Sequence, residues 1–242
     1  MVELTMDYEN NINYWDGRYY APNVESFIFR FYGRVLKHDF GIDGSNQEKV
    51  FDFGCGEGGA LNFFHEKGFD VYGVDIAEND INQAKLSLAR KTRKEPVGRA
   101  HFELIDPHPR ANQRYFESIH NGTEWIDVAI SIQTLDFLSD TDCEIVLQNI
   151  YNQMKPGSVI FASFNGYQMY YRNHGQYIGD GLWHIKFAND RVSYDLNLNF
   201  IESKEKLAQK FHMFTPKYMD YYDSSFRNEG SEFRWTFTGT KE

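Results

Sequence analysis

Residues 50–59 read VFDFGCGEGG. A β-branched and aromatic run ends there in glycines, broken only by Cys55 and Glu57. Such a run suits a pleated, half-buried strand, and glycines gather where something comes too close to the backbone for a side chain. Three readings compete: a cradle for a pyrophosphate, a wrap around a nucleoside, or a plain turn. Gly54, Gly56 and Gly59 satisfy G-x-G-x-x-G, and Asp75 follows at the end of the next apolar run. A dinucleotide-binding fold keeps an acid there for ribose hydroxyls. The glycine pattern alone therefore does not decide.

Outward from this stretch the chain alternates. The pattern predicts strand VFDFG, helix GALNFFHEKG, strand DVYGVDI, helix AENDINQAKLSLARKTRK and strand AHFELID. A short helix near 111–120, strand IDVAISIQ, helix DTDCEIVLQNIYNQM and strand VIFASF follow. Upstream, the helical spacing of Phe27, Phe31 and Val35 predicts a helix over about 26–39. This βα alternation with short links implies a doubly wound, mostly parallel α/β sheet. Past 165 the alternation fails. GYQMYYRNHGQYIGDG reads as loop, and LWHIKFA with RVSYDLNLNF as a hairpin turned by Asn189 and Asp190. SKEKLAQKFHMF reads as one helix capped by Ser203, and two strands follow near 217–223 and 232–240. No repeat or linker divides the chain. One domain over 1–242 is expected, with 1–48 as an N-terminal cap and 165–202 as an inserted hairpin.

Composition narrows the partners. A net charge of −10 and a pI near 5.3 disfavour a nucleic-acid backbone as ligand. The densest basic run, ARKTRK at 89–94, ends a predicted helix and complements its dipole. No long apolar window and a polar, acidic start predict neither membrane span nor leader. Two cysteines without C-x-x-C spacing fit a reducing, cytoplasmic setting.

Charge around the glycines decides among the readings. Asp52 precedes Gly54 inside the strand, giving Asp-x-Gly-x-Gly-x-Gly, and Glu57 sits in the loop itself. A buried carboxylate is costly unless it meets a cation or several donors. Two carboxylates would repel a pyrophosphate but suit a nucleoside carrying ammonium and sulfonium groups. Segment 50–59 is similar to motif I of the class I S-adenosylmethionine-dependent methyltransferases, small-molecule type. Asp75 resembles their ribose-binding acid, and Asp106, ending FELID, stands where a residue meets the adenine amine. MKPGS at 154–158 resembles the family's Leu-Lys-Pro-Gly-Gly turn, with Ser158 in place of the last glycine. RWTFTGTK would be the family's reversed seventh strand. The resemblance thus implies a seven-stranded sheet with the insertion between strands five and six.

It also implies S-adenosylmethionine as cofactor, with S-adenosylhomocysteine as product. Gly54, Cys55 and Gly56 would meet the methionyl portion, and Asp52 would organise its ammonium or else cap loop amides. Asp75, beside Ile76, would take the ribose, its alternative being a helix cap. Asp106 would meet the adenine or cap its own loop, and Ile132 with Gln133 would lie under the methionyl chain. NYWDGRYY at 13–20 resembles a segment folded over the cofactor. There Tyr14, Trp15 or Arg18 would meet its carboxylate, the alternative being an aromatic staple that packs the first helix.

The acceptor is expected beneath the aromatic insertion, as lid or pocket wall, with a dimer contact as the alternative. His174 and His184 are candidate general bases, and Arg172 would hold an anionic group. Where some relatives carry a Glu-x-x-Glu-His metal cluster, this chain has Gln133-Thr134-Leu135-Asp136-Phe137, so no metal is expected. No Asn-Pro-Pro-Tyr type motif follows the fourth strand. A small polar molecule methylated on oxygen, such as a sugar or phosphorylated intermediate of surface polysaccharide synthesis, is the expected substrate. Alternatives are N-methylation of a small molecule, a nicotinamide-dependent oxidoreductase, and a silent cofactor-binding relative. The chain is expected to be a monomer or homodimer.

Overall fold

Val50 faces one apolar cluster and Phe51 and Phe53 face another, so the first strand is buried on both sides. Such a strand belongs in the middle of a helix-covered parallel sheet. The computed structural model describes residues 24–90, 98–188, 193–225 and 230–242. In chain order its strands are β1 (Lys49–Phe53), β2 (Asp70–Asp75), β3 (Ala100–Leu104), β4 (Ile126–Ser131) and β5 (Met154–Asn165), then β6 (Gly175–Gly179), β7 (Leu182–Ala188), β8 (Ser193–Asn199), β9 (Thr215–Tyr222) and β10 (Arg234–Thr240). The main sheet runs β3-β2-β1-β4-β5-β10-β9. Its first five members are parallel, and β10 is antiparallel to both neighbours. The seven-stranded, doubly wound sheet with a reversed C-terminal strand is therefore as expected.

Helices cover both faces. The first, α1, spans 26–39, with a π-helical stretch at Phe31–Leu36. It is followed by α2 (Gly59–Glu66), α3 (Glu78–Arg90), α4 (Glu117–His120), α5 (Asp140–Gln153) and α6 (Lys204–Lys210). The helix α5 has an evident local cause. Ser139 Oγ accepts from the Asp142 amide at 3.1 Å, and Asp140 and Asp142 sit in the first turn, where the helix dipole favours anions. Cys143, Val146, Leu147 and Ile150 then form one buried stripe. Full burial of Val146, Leu147 and Ile150 is worth roughly 1.5–3 kcal/mol each. No helix among the described residues is long and apolar enough to cross a membrane.

Two expectations need correction. The insertion is a three-stranded antiparallel sheet, β6-β7-β8, because GQYIG pairs with β7 instead of looping. The helix begun at Ser203 stops at Lys210, and Phe211 turns inward to stack on Phe237 at 4.3 Å. Tyr14, Trp15, Arg18, Asn189, Asp190 and the basic run beyond residue 90 lie outside the described residues.

Alternation gives the inserted sheet two unlike faces. Trp183, Ile185, Phe187, Tyr194, Leu196 and Leu198 turn inward with Met169 and Phe200. His184, Lys186 and Asp195 turn outward. The insert is fastened to the body at the start of α5. Asn199 donates to Leu138 O at 3.2 Å and to Asp140 Oδ1 at 2.8 Å. The Asp140 amide donates to Asp180 O at 2.8 Å, and Lys210 pairs with the Asp140 carboxylate.

Candidate active site

Strand order reverses between β1 and β4, and in open α/β sheets ligands bind at that switch point, beyond the carboxyl ends of the strands. A cavity of about 560 Å³ opens there, inside the range of about 300–1,000 Å³ typical of small-molecule sites. It has two ends. One is the glycine loop with Asp52, Asp75, Ile76, Asp106, Ile132 and Gln133. The other is walled by Met169, Tyr171, Ile185, Tyr194, Leu196 and Leu198 of the insertion, with Asp136, Asn165 and Arg234 alongside.

The loop geometry explains the glycines. The amides of Gly54 and Cys55 both donate to Val74 O, at 2.9 and 3.0 Å, which ties the loop to the end of β2. Gly54 has φ +78°, and a β-carbon on it would lie 2.2 Å from the Thr134 side chain. Gly56, at φ +50°, would meet nothing within 4 Å, so its face is open floor. Asp75 fixes that floor: its Oδ2 accepts from the Gly56 amide at 2.8 Å and its Oδ1 from Ala77 at 2.9 Å. Carboxylate oxygens carry further lone pairs, so Asp75 can still receive hydroxyls. Burial raises its pKa, against the pull of those amides.

Asp52 behaves differently. It is buried, and its Oδ1 has no hydrogen-bond partner among the described residues. Burial, and behind it the charge of Asp75, pushes its carboxyl well above the usual range. Capping of loop amides falls to Asp75, whereas no described donor meets Asp52 Oδ1. The raised folded pKa sets a sign: the contribution of protonated Asp52 to stability is complete below the unfolded value near 3.9 and is lost as pH rises through the folded value. Asp52→Asn is therefore expected to stabilise the ligand-free protein above that window by about 1–3 kcal/mol and to flatten its stability–pH curve. Thermal melts across pH check this; a destabilised variant at mildly alkaline pH contradicts it.

The remaining expected residues divide. Asp106 lies at the cavity rim and caps its own loop, accepting from the His108 amide at 2.8 Å. Cys55 is buried with its thiol pushed well up, which makes it packing, not a nucleophile. Gln133 lines the cavity at φ +55°, with its amide bonded to Ser163 Oγ at 2.9 Å. Such left-handed backbone at a non-glycine costs of order 1–3 kcal/mol and gathers at functional sites.

The three residues expected at the chemistry lie off the cavity. His184 is on the outer face of β7, 3.1 Å from Asn197 Oδ1 and 3.4 Å from Asp195. His174 is exposed, its ring between Tyr170 and Phe187 at 5.0 and 4.7 Å. Arg172 is spent as a clamp: its Nε donates to Tyr167 O at 2.7 Å and its guanidinium lies over the Tyr167 and Trp183 rings.

A cluster that sequence reasoning did not assemble lies inside instead. Asp136 is 1% exposed, with Oδ2 at 3.4 Å from Arg234 Nη1 and Oδ1 without a partner among the described residues. Arg234 also donates to Asn165 Oδ1 at 2.7 Å. Burial raises the Asp136 pKa, opposed by the Arg234 charge. Nearby Tyr222 has its hydroxyl pushed up to about 12, chiefly by burial. Among the described lining residues stand eight carboxylates (Glu25, Asp52, Glu57, Asp75, Asp80, Asp106, Asp136 and Glu232) against one cation, Arg234.

A family model described as a methyltransferase domain matches residues 23–218. The carboxy-S-adenosyl-L-methionine synthase of a Psychrobacter species is 32% identical over 120 residues, which is 49% of this chain and 40% of that protein. The chain thus covers well under half the length of that curated relative. Among solved structures, a SAM-dependent methyltransferase from Methanosarcina mazei superposes with a TM-score of 0.66 at 14% identity, covering 90% of this chain and 98% of the other. The magnesium protoporphyrin IX methyltransferase of Synechocystis with bound SAM gives 0.59 at 13% identity over the whole of both chains. The fold, the glycine loop and the matched family model together make this chain a member of the methyltransferase domain family.

Proposed function

We propose that this chain transfers the methyl group of S-adenosylmethionine to an oxygen of a small organic acceptor with an apolar body. One observation carries the reading. A single cavity runs from a glycine loop with an orphaned buried carboxylate to the apolar inner face of the inserted sheet.

The residues present fit the cofactor. The open face over Gly56 leaves room for close approach, and the unpartnered Asp52 Oδ1 suits an ammonium. Asp75 would take the ribose hydroxyls, and Ile76 and Ile132 supply apolar walls. Eight carboxylates disfavour a pyrophosphate, which supports this cofactor over a nicotinamide dinucleotide. When bound, the sulfonium supplies an electrophilic methyl carbon. The chain's own contribution is alignment and exclusion of water, and alignment alone can supply roughly 7–11 kcal/mol. Met169, Ile185, Leu196 and Leu198 would exclude water, while Tyr171 and Tyr194 present rings to the acceptor. The same acidic lining favours a neutral or cationic acceptor over a phosphorylated one. It also keeps a second reading open, an amine nitrogen as the methyl acceptor.

Calorimetric titration with S-adenosylhomocysteine and with NADH tests the cofactor. Micromolar binding of the first and none of the second is expected. Indifference to S-adenosylhomocysteine in the millimolar range would overturn the proposal. Transfer of labelled methyl to a panel of hydroxylated and amine compounds then identifies the accepting atom.

A further inference from the structure

We infer that the acceptor end of the cavity is built to hold an ammonium group, with Asp136 as its counter-charge and the insertion's aromatic and aliphatic wall enclosing the body that carries it. The inference rests on the proposed function and deepens it, since it names the charge class of the acceptor.

Asp136 is the central observation. A carboxylate taken this far out of water is expensive unless both oxygens are satisfied. Only Oδ2 is, and then at 3.4 Å from Arg234. Arg234 is itself oriented by a shorter bond to Asn165, at 2.7 Å, so it holds the carboxylate in place without covering Oδ1. The orphan oxygen belongs to a residue of the cavity wall. A neutral hydroxyl would satisfy one oxygen, but the surroundings favour a full positive charge. Glu25 and Glu232 line the same cavity, and Arg234 is the single cation among its described lining residues. An anionic acceptor would face this surplus with its natural partner already engaged by Asp136 and Asn165. Two tyrosine rings of the same cavity complete the argument. Tyr171 and Tyr194 meet edge to face at 4.6 Å and both line the cavity. Tyrosine faces attract a desolvated cation, and Met169, Ile185, Leu196 and Leu198 give its apolar body a wall.

Three phenols of similar size separate charge from shape: tyramine, 4-propylphenol and 4-hydroxyphenylacetate. They share one ring and differ at the tail, which is cationic, neutral or anionic. Each is titrated calorimetrically into the full chain, with and without saturating S-adenosylhomocysteine. Tyramine is expected to bind about tenfold or more tighter than either of the other two, as for a hydrogen bond to a charged partner. Asp136→Asn should bring tyramine to the level of 4-propylphenol while leaving S-adenosylhomocysteine affinity unchanged. Asparagine can still accept from Arg234, and the wild-type ranking decides the matter even if that variant fails to fold. Equal affinities, a preference for the neutral or anionic probe, or no tyramine binding in the millimolar range would overturn the inference. A failure confined to S-adenosylhomocysteine would instead overturn the cofactor assignment, because the probe ranking without it still reads the subsite.

Discussion

Asp75→Ala is expected to weaken S-adenosylhomocysteine binding by about 10- to 150-fold, the 1.5–3 kcal/mol of a hydrogen bond to a charged group. Two losses combine. The ribose hydroxyls lose their acceptor, and the Gly56 and Ala77 amides, held at 2.8 and 2.9 Å, lose theirs. The floor over Gly56 would then no longer be fixed before the ligand arrives, and ordering it would cost affinity again. Asp75→Asn should fall between, because its single remaining oxygen can serve one of the two amides. Calorimetry on the three proteins checks the order. Unchanged affinity in Asp75→Ala would remove Asp75 from the binding site.

Gly54→Ala should be the most damaging single methyl in the loop. The residue sits at φ +78°, which costs an L-residue roughly 1–2 kcal/mol. The added β-carbon would also lie 2.2 Å from Thr134 Oγ1 and Cγ2. Thr134 has little freedom to withdraw, since its hydroxyl is shared between Gly54 O and Ile132 O at 3.3 and 3.1 Å. Overpacking of this kind adds about 1–3 kcal/mol. A total near 2–5 kcal/mol would lower the melting temperature by about 4–20 °C for a chain of this size. The double variant Gly54→Ala/Thr134→Gly separates the causes. It should recover the collision but not the backbone cost, so a non-additive cycle is expected. Additive losses would mean that the two side chains do not collide.

The glycine end of the site was legible because its information is local. Asp52, Gly54, Gly56 and Asp75 lie on one strand–loop–helix–strand unit, and their spacing along the chain is their arrangement in space. The end proposed for the acceptor had no such shortcut. Asp136 and Arg234 are 98 positions apart and Asn165 and Arg234 are 69 apart, brought together by the antiparallel pairing of β5 with β10. The insertion was read as aromatic and pocket-forming, which holds for Tyr171 and Tyr194. Which aromatics face inward depends on strand parity, and parity could not be read without the turns. His184 illustrates this: it neighbours the fully buried Ile185 and so must point the other way. β6 was missed because its side chains are half or fully exposed throughout, which erases the alternation that marks a strand. The early end of α6 has a similar cause. Phe211 and Phe214 continue the apolar spacing, but their burial against Phe237 is tertiary.

The fastening of β6-β7-β8 at Asp140 and Asn199 has an evolutionary consequence. One end of the chamber is written in the parallel scaffold; the other adds an inserted module to Asp136, Asn165 and Arg234 of that scaffold. The module is tied down by polar bonds at the start of α5 and by the Tyr170 amide, which donates to Ser231 O at 2.8 Å. Swapping residues on the module's inner face can therefore retune what is modified while leaving the donor machinery intact. Divergence among such enzymes would be concentrated there, and a chimaera exchanging Gly175–Asn199 between relatives would carry selectivity with it.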